Sequence, residues 1–199
     1  MKSLLLQQRN IKDRFNVNLP LERIEKLLRI AYEVEVERRG MKYIENEQTN
    51  KAISELAQAL AQDNYRTGIL MCGTCGNGKT TMLLALQNTL IYLKGKKIIA
   101  NGMPIIDARD IETNLINSRK FPMLGVEDMG KEPATKLDYG NIRNPMVELL
   151  EYRYDNQLYT VVTTNLTPKE IRQRYGVRIA DRFNEMMNVI IFSGESFRK

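Results

Sequence analysis

A chain of 199 residues, 43% hydrophobic and 27% charged, fits one globular domain with a short extension. No apolar run approaches the roughly 20 residues that span a bilayer, and Leu4-Leu5-Leu6 is too short for a secretory core, so a cytoplasmic protein with no membrane partner is expected. The net charge of +6 favours an anionic partner such as nucleic acid, although solubility explains it equally well, and two cysteines without a histidine exclude most metal sites.

Residues 1–20 are basic, with Lys2, Arg9, Lys12 and Arg14 against Asp13, and they also carry Phe15, Val17 and Leu19. Such a stretch reads either as a docking segment or as a packed lead-in. Pro20 opens a helical pattern with Ile24, Leu27, Leu28 and Ala31 on one face and Gly40 as its stop. A second helix is predicted from Thr49 to Gln62, with Ile53, Leu56, Ala57 and Leu60 on one face. Residues 1–44 are accordingly expected to form an N-terminal helical arm, a candidate partner-docking segment, and residues 45–199 the main domain.

Thr67 to Cys72 reads as a buried strand, and Thr81 to Leu93 as a helix. Between them Gly73-Thr74-Cys75-Gly76-Asn77-Gly78-Lys79-Thr80 fits the phosphate-binding pattern G-x-x-x-x-G-K-[ST]. Glycines allow close backbone approach, so loop N–H groups can cradle phosphate oxygens at the positive end of the helix. Gly73 through Thr81 are the candidate ATP-binding residues. Lys79 would reach the β- and γ-phosphates, and the Thr80 hydroxyl would ligate Mg²⁺. Cys72 and Cys75 form C-x-x-C, but a structural zinc site needs four ligands; a redox couple stays open.

Lys97 to Ala100 is predicted as a second strand, Asp110 to Asn117 as a short helix, and Phe121 to Glu127 as a third strand ending in Glu127-Asp128. After a phosphate loop, an apolar strand ending in acids is the Walker B element. Glu127, the first acid, is assigned to Mg²⁺, and Asp128, the second, to the attacking water. The usual order is Asp then Asp or Glu, so the rate of hydrolysis is open. Asn144 to Tyr154 is predicted helical. Leu158 to Thr163 is a fourth strand, running into Thr163-Thr164-Asn165, where Asn165 fits the sensor 1 role and a turn or cap is the alternative. Pro168 to Tyr175 and Arg178 to Met186 are helices, and Val189 to Phe192 is a fifth strand. Alternating strands and helices imply a parallel sheet covered on both faces. Arg178 and Arg182 share a helix face, with Asp181 a candidate partner for Arg178; the pair is either a solvated basic face or an arginine finger acting on a neighbour's nucleotide.

The order of these motifs resembles the AAA+ ATPases of the bacterial helicase-loader group, DnaC and DnaI, with the transposition helper IstB. The resemblance rests on Val126–Pro133, Asp138-Tyr139-Gly140-Asn141, Thr163-Thr164-Asn165-Leu166, Arg174–Arg182 and the ending Phe192–Arg198. It implies an α/β P-loop NTPase with an AAA+ core: a five-stranded parallel sheet between helices, without a C-terminal lid domain. It implies an ATP- and Mg²⁺-dependent switch whose subunits assemble side by side into a nucleotide-bridged oligomer or filament, with Arg182 at the arginine-finger position. The implied partners are a replicative ring helicase, held by an N-terminal segment, and single-stranded DNA. Arg109, Arg119 and Lys120 lie where replication-initiation relatives contact that strand, with a solvated surface as the alternative, and Arg198 would partly stand in for a lid arginine. Two alternatives remain: an IstB-like helper working with a transposase, and a nucleotide-stabilised adaptor with negligible hydrolysis.

Overall fold

The computed structural model describes residues 15–61, 66–133, 136–138 and 141–193. The basic segment up to residue 14, Tyr139-Gly140 and the ending from Gly194 through Arg198 lie outside the described residues.

Two helices come first, α1 (Leu21–Glu37) and α2 (Glu47–Ala61). The phosphate-loop strand β1 (Gly68–Gly73) and helix α3 (Lys79–Gly95) follow. Next are β2 (Ile105–Asp107), α4 (Ile111–Lys120), β3 (Met123–Met129) and a small hairpin, β4 (Lys136–Asp138) with β5 (Asn141–Arg143). The described chain ends with α5 (Pro145–Asp155), β6 (Tyr159–Thr164), α6 (Pro168–Tyr175), α7 (Val177–Met186) and β7 (Met187–Phe192).

The main sheet has five strands in the order β2-β3-β6-β1-β7, and every pairing is parallel. β1 lies between β6 and β7, which explains why Ile69, Leu70, Met71 and Cys72 are all buried with no polar alternation. One core layer joins Ile69, Met71 and Val161 to α1, α2 and α3; the other joins Leu70, Val126 and Val162 to α4, α5, α6 and α7. Helices therefore cover both faces, as strand–helix alternation requires.

The predicted second strand at Lys97–Ala100 is not a strand. Lys97 takes a left-handed φ of 59° and the N–H of Ile98 donates back to Leu93 O at 3.0 Å, so this run closes the C-terminus of α3. Ile98 and Ile99 spend their apolar surface against the core as a cap. The strand forms further on, where Ile105 pairs with Gly125, just past Pro104. The β4–β5 hairpin is not expected from the sequence pattern.

α1 is built into the same core. Ile24, Leu28 and Tyr32 recur at helical spacing and are buried, each contributing roughly 1.5–3 kcal/mol of apolar burial. The helix packs on α2 and α3, and Asn88 Nδ2 of α3 donates to Glu35 Oε1 at 2.5 Å. The segment before it is anchored too: Val17 N donates to Leu60 O at 2.9 Å, and the Phe15 ring meets Tyr159 edge-on at 4.8 Å.

A buried cation knits α5 to the sheet. Arg153 is 0% exposed, and its guanidinium donates to Thr160 Oγ1, Ser118 O, Phe121 O and Tyr159 O at 2.7–2.9 Å. Desolvation lowers its pKa to about 10, still cationic at neutral pH. Arg153→Ala should leave those acceptors without a donor and lower unfolding free energy by at least about 3 kcal/mol in a urea titration.

Candidate functional site

The three motifs converge where β1, β3 and β6 end on the same side of the sheet, the position at which α/β sheets hold ligands. β1 passes into the phosphate loop through Gly73, whose φ is 147°, and the loop turns again at Gly76 and Gly78, with φ of 86° and 91°. A Cβ on Gly73 would meet Phe192 O at 2.1 Å, so only glycine fits beside β7. Asn77 is buried and its Nδ2 donates to the same Phe192 carbonyl, pinning the loop to the sheet edge.

α3 begins at Lys79, two residues earlier than its apolar pattern suggests. The Lys79 ammonium donates to Gly73 O at 2.8 Å, Thr74 O at 2.6 Å and Asn77 Oδ1 at 3.1 Å. Burial holds its pKa below the usual lysine value. A cation satisfied by neutral carbonyls at a helix N-terminus, with no carboxylate among the described residues bound to it, is set for an anion. The glycine cradle, this ammonium and the Thr80 hydroxyl fit a nucleoside triphosphate with its magnesium ion.

A cavity of about 410 Å³ adjoins the loop. Cys75 through Thr81 line it, with Asp128, Lys131 and Asn165 at the same site. Its other wall comes from α1 and the connection after it: Tyr32, Val36, Met41, Tyr43 and Ile44. The sequence does not mark that wall, because residues some 35 positions before the loop reach it only through the packing of α1 on α3. The half-apolar run Met41-Lys42-Tyr43-Ile44 directly after the Gly40 stop was the available signal.

Of the two acids, Asp128 lines the cavity and Glu127 is not among the lining residues. A β-bulge explains this. Val126 pairs with Val162 and Met129 with Thr164, so Glu127 and Asp128 together oppose Thr163 alone. Asp128 has a φ of 58°, and its N–H donates to Thr163 Oγ1 at 2.9 Å. Thr164 Oγ1 donates to Met129 O at 2.6 Å. Thr163 and Thr164 thus hold the turn that carries the acid, while Asn165 faces the cavity. Lys131 Nζ lies 2.5 Å from Asp128 Oδ2.

Glu132 closes this turn from beneath. Its buried carboxylate accepts from Gly130 N at 2.8 Å and from Tyr175 Oη, and Arg174 Nε lies 3.5 Å away. The turn is so joined to α6, whose own start is fixed by a Thr167–Glu170 capping box.

Arg178 and Arg182 lie outside the cavity lining, on α7. Arg182 is braced within its own chain: its side chain is 11% exposed, pairs with Glu151 at 3.3 Å and Asp155 at 3.1 Å, and stacks 4.5 Å over the Tyr154 ring. The Arg178 side chain is 71% exposed and pairs with Glu151 at 3.3 Å. Asp181 is not its partner; it approaches Arg172 at 4.0 Å, because α5 supplies a better placed carboxylate. Arg109 is folded onto Asp107 at 2.6 Å, holding that carboxyl below its usual pKa through their hydrogen bond, and Arg119 reaches Glu148 at 3.4 Å. Among the described residues no helix is long and apolar enough to cross a membrane.

No family model matches the sequence, and no curated protein matches it. Solved structures do match the fold. The DnaC helicase loader aligns over 76% of this chain and 93% of its own, at 21% identity and a TM-score of 0.56. DnaI aligns over 78% of this chain and 87% of its own, at 21% identity and 0.58. The replication initiator DnaA, bound to AMPPCP and single-stranded DNA, aligns over 77% of this chain and 49% of its own, at 16% identity and 0.55. The chain has the AAA+ ATPase fold.

In this AAA+ fold the phosphate loop, the Walker B turn and the residue after β6 meet at one cavity, as the motif order requires. Gly73→Ala should disrupt the first of these by driving a methyl group against Phe192 O and straining a positive φ. The two effects together should cost roughly 2–4 kcal/mol in denaturant unfolding.

Proposed function

We propose that this chain is an ATP-binding and ATP-hydrolysing AAA+ switch acting in DNA replication as a helicase loader that grips single-stranded DNA. The observation that carries the reading is the Lys79 ammonium, buried on loop carbonyls beside a cavity shared with Asp128 and Asn165. The fold likeness to DnaC and DnaI supports the loader role.

Each residue has a part in the proposed reaction. The loop N–H groups from Gly73 to Thr81 and Lys79 bind the phosphate chain, and Thr80, with Glu127, would hold the metal. Bound magnesium supplies charge neutralisation across the phosphates. Asp128 accepts a hydrogen bond from the attacking water and takes its proton, and Asn165 orients that water against the γ-phosphate. Tyr32, Val36, Tyr43 and Ile44 enclose the base. α7 supplies the cation to a neighbouring subunit's nucleotide: Arg178 from its exposed position, Arg182 after leaving Glu151 and Asp155. Subunits so bridged form an oligomer or filament.

A second reading, an adaptor with negligible hydrolysis, is favoured by the Asp128–Lys131 pair, which occupies the acid. Turnover with and without DNA separates the two, and a pull-down with a ring helicase and a transposase decides the partner.

Lys79→Ala is expected to keep the fold and lose tight ATP binding in a calorimetric titration; equal affinity in mutant and parent would sink the nucleotide assignment. Arg178→Ala and Arg182→Ala should each bind ATP but turn it over slowly, and mixing either with Lys79→Ala protein should restore part of the activity. No recovery in demonstrated mixed assemblies would make the arginines structural. Binding to single-stranded DNA should weaken with salt, each neutralised phosphate adding about −0.7 to the log–log slope; a flat response would remove DNA from the function.

A further inference from the structure

We infer that Lys131 is a phosphate-binding cation of the cavity beside Lys79, and that it exchanges between Asp128 and the γ-phosphate. The inference rests on the nucleotide-binding reading above and adds a residue to it. No motif assigns Lys131.

Three observations carry it. Lys131 lines the same cavity as Lys79, Thr80 and Asn165. Its ammonium lies 2.5 Å from Asp128 Oδ2, so the cation and the acid are both at the site and each blocks the other. The backbone beneath them is held at every step: Asp128 N on Thr163 Oγ1 at 2.9 Å, Gly130 N on Glu132 Oε2 at 2.8 Å, and Lys131 N on Asp128 O at 3.1 Å. A Cβ on Gly130 would stand 2.9 Å from Leu166 Cδ1, so the turn is also packed against the segment that follows β6. With the main chain held, the long and half-exposed lysine side chain can change position without moving the turn.

The energetics favour an exchange. The Lys131 side chain is 49% exposed and that of Asp128 20%, so their pair is a partly solvated and weak one. A γ-phosphate carries more negative charge than one carboxylate, and hydrogen bonds to ionised phosphate are among the stronger ones. When a triphosphate occupies the loop, the ammonium moves from Asp128 to the γ-phosphate. Asp128 is then free to accept from water only when a γ-phosphate is present. A diphosphate offers Lys131 no γ oxygen, so the lysine returns and the acid is covered again. One side chain thereby distinguishes ATP from ADP and gates the base.

Calorimetric titration of the full chain with ATP and with ADP, without magnesium, tests this before any turnover. Lys131→Ala should lower ATP affinity about tenfold while changing ADP affinity less than about twofold, the loss expected for one charge-assisted hydrogen bond. Lys131→Arg should retain most of the ATP preference. Asp128→Asn releases the lysine in advance and should raise ATP affinity; the double variant with Lys131→Ala should lose that gain, the signature of a coupled pair. If Lys131→Ala leaves the ATP-to-ADP ratio unchanged, or weakens both nucleotides alike, while Lys79→Ala abolishes binding, the inference fails and the nucleotide site stands. If the unaltered protein binds neither nucleotide, both fail.

Discussion

The site depends on how closely β1 lies against its neighbours. At one end of the strand a Cβ on Gly68 would meet Thr160 O of β6 at 2.4 Å; at the other, a Cβ on Gly73 would meet Phe192 O of β7 at 2.1 Å. Glycine at both ends lets three parallel strands close up around a fully apolar centre. The phosphate loop leaves the sheet at this point of closest approach. Its path is set by the Phe192 carbonyl, which occupies the space a side chain would need and accepts from Asn77 as well. Lys79 then sits on the carbonyls of Gly73 and Thr74 because the loop has already been turned toward it.

The acid side of the cavity is built by a different device. The bulge at Glu127-Asp128 spends an extra residue and leaves Asp128 in a left-handed conformation that only a few residue types accept readily. Backbone N–H groups of the turn donate to Thr163 and Glu132, and Thr164 donates to Met129 O, which holds it there. Glu132 also accepts from Tyr175 and lies by Arg174, so the turn that presents Asp128 shares a buried carboxylate with α6. The chain runs from α6 into α7 through Gly176 alone, and α7 carries Arg178 and Arg182. A covalent and hydrogen-bonded route thus links the Asp128 turn to α7.

α1 gives the cavity its far wall, and it does so as part of the core. Burial of Ile24, Leu28 and Tyr32 places the end of the helix, and with it Val36, Tyr43 and Ile44, opposite the phosphate loop. Val17, Ile24, Leu28 and Tyr32 thus share one buried cluster with α2, α3 and the sheet.

The sequence by itself determined the local chemistry: a strand, a glycine loop, a lysine at a helix start, acids after an apolar strand, and a parallel sheet between helices. Those follow from short-range rules of spacing, turn chemistry and periodicity, and they survive in any packing. It misplaced the second strand, because Lys97–Ala100 has strand-forming residues whose role as a helix cap depends on Leu93 and the core beside it. Tertiary structure alone decided which acid reaches the cavity, since a bulge depends on register with β6. It alone braced Arg182 against Glu151 and Asp155 on α5, and it alone brought Lys131 onto Asp128. Each of these is a contact made by packing or strand register, and neither periodicity nor a motif records where a long side chain finds its partner.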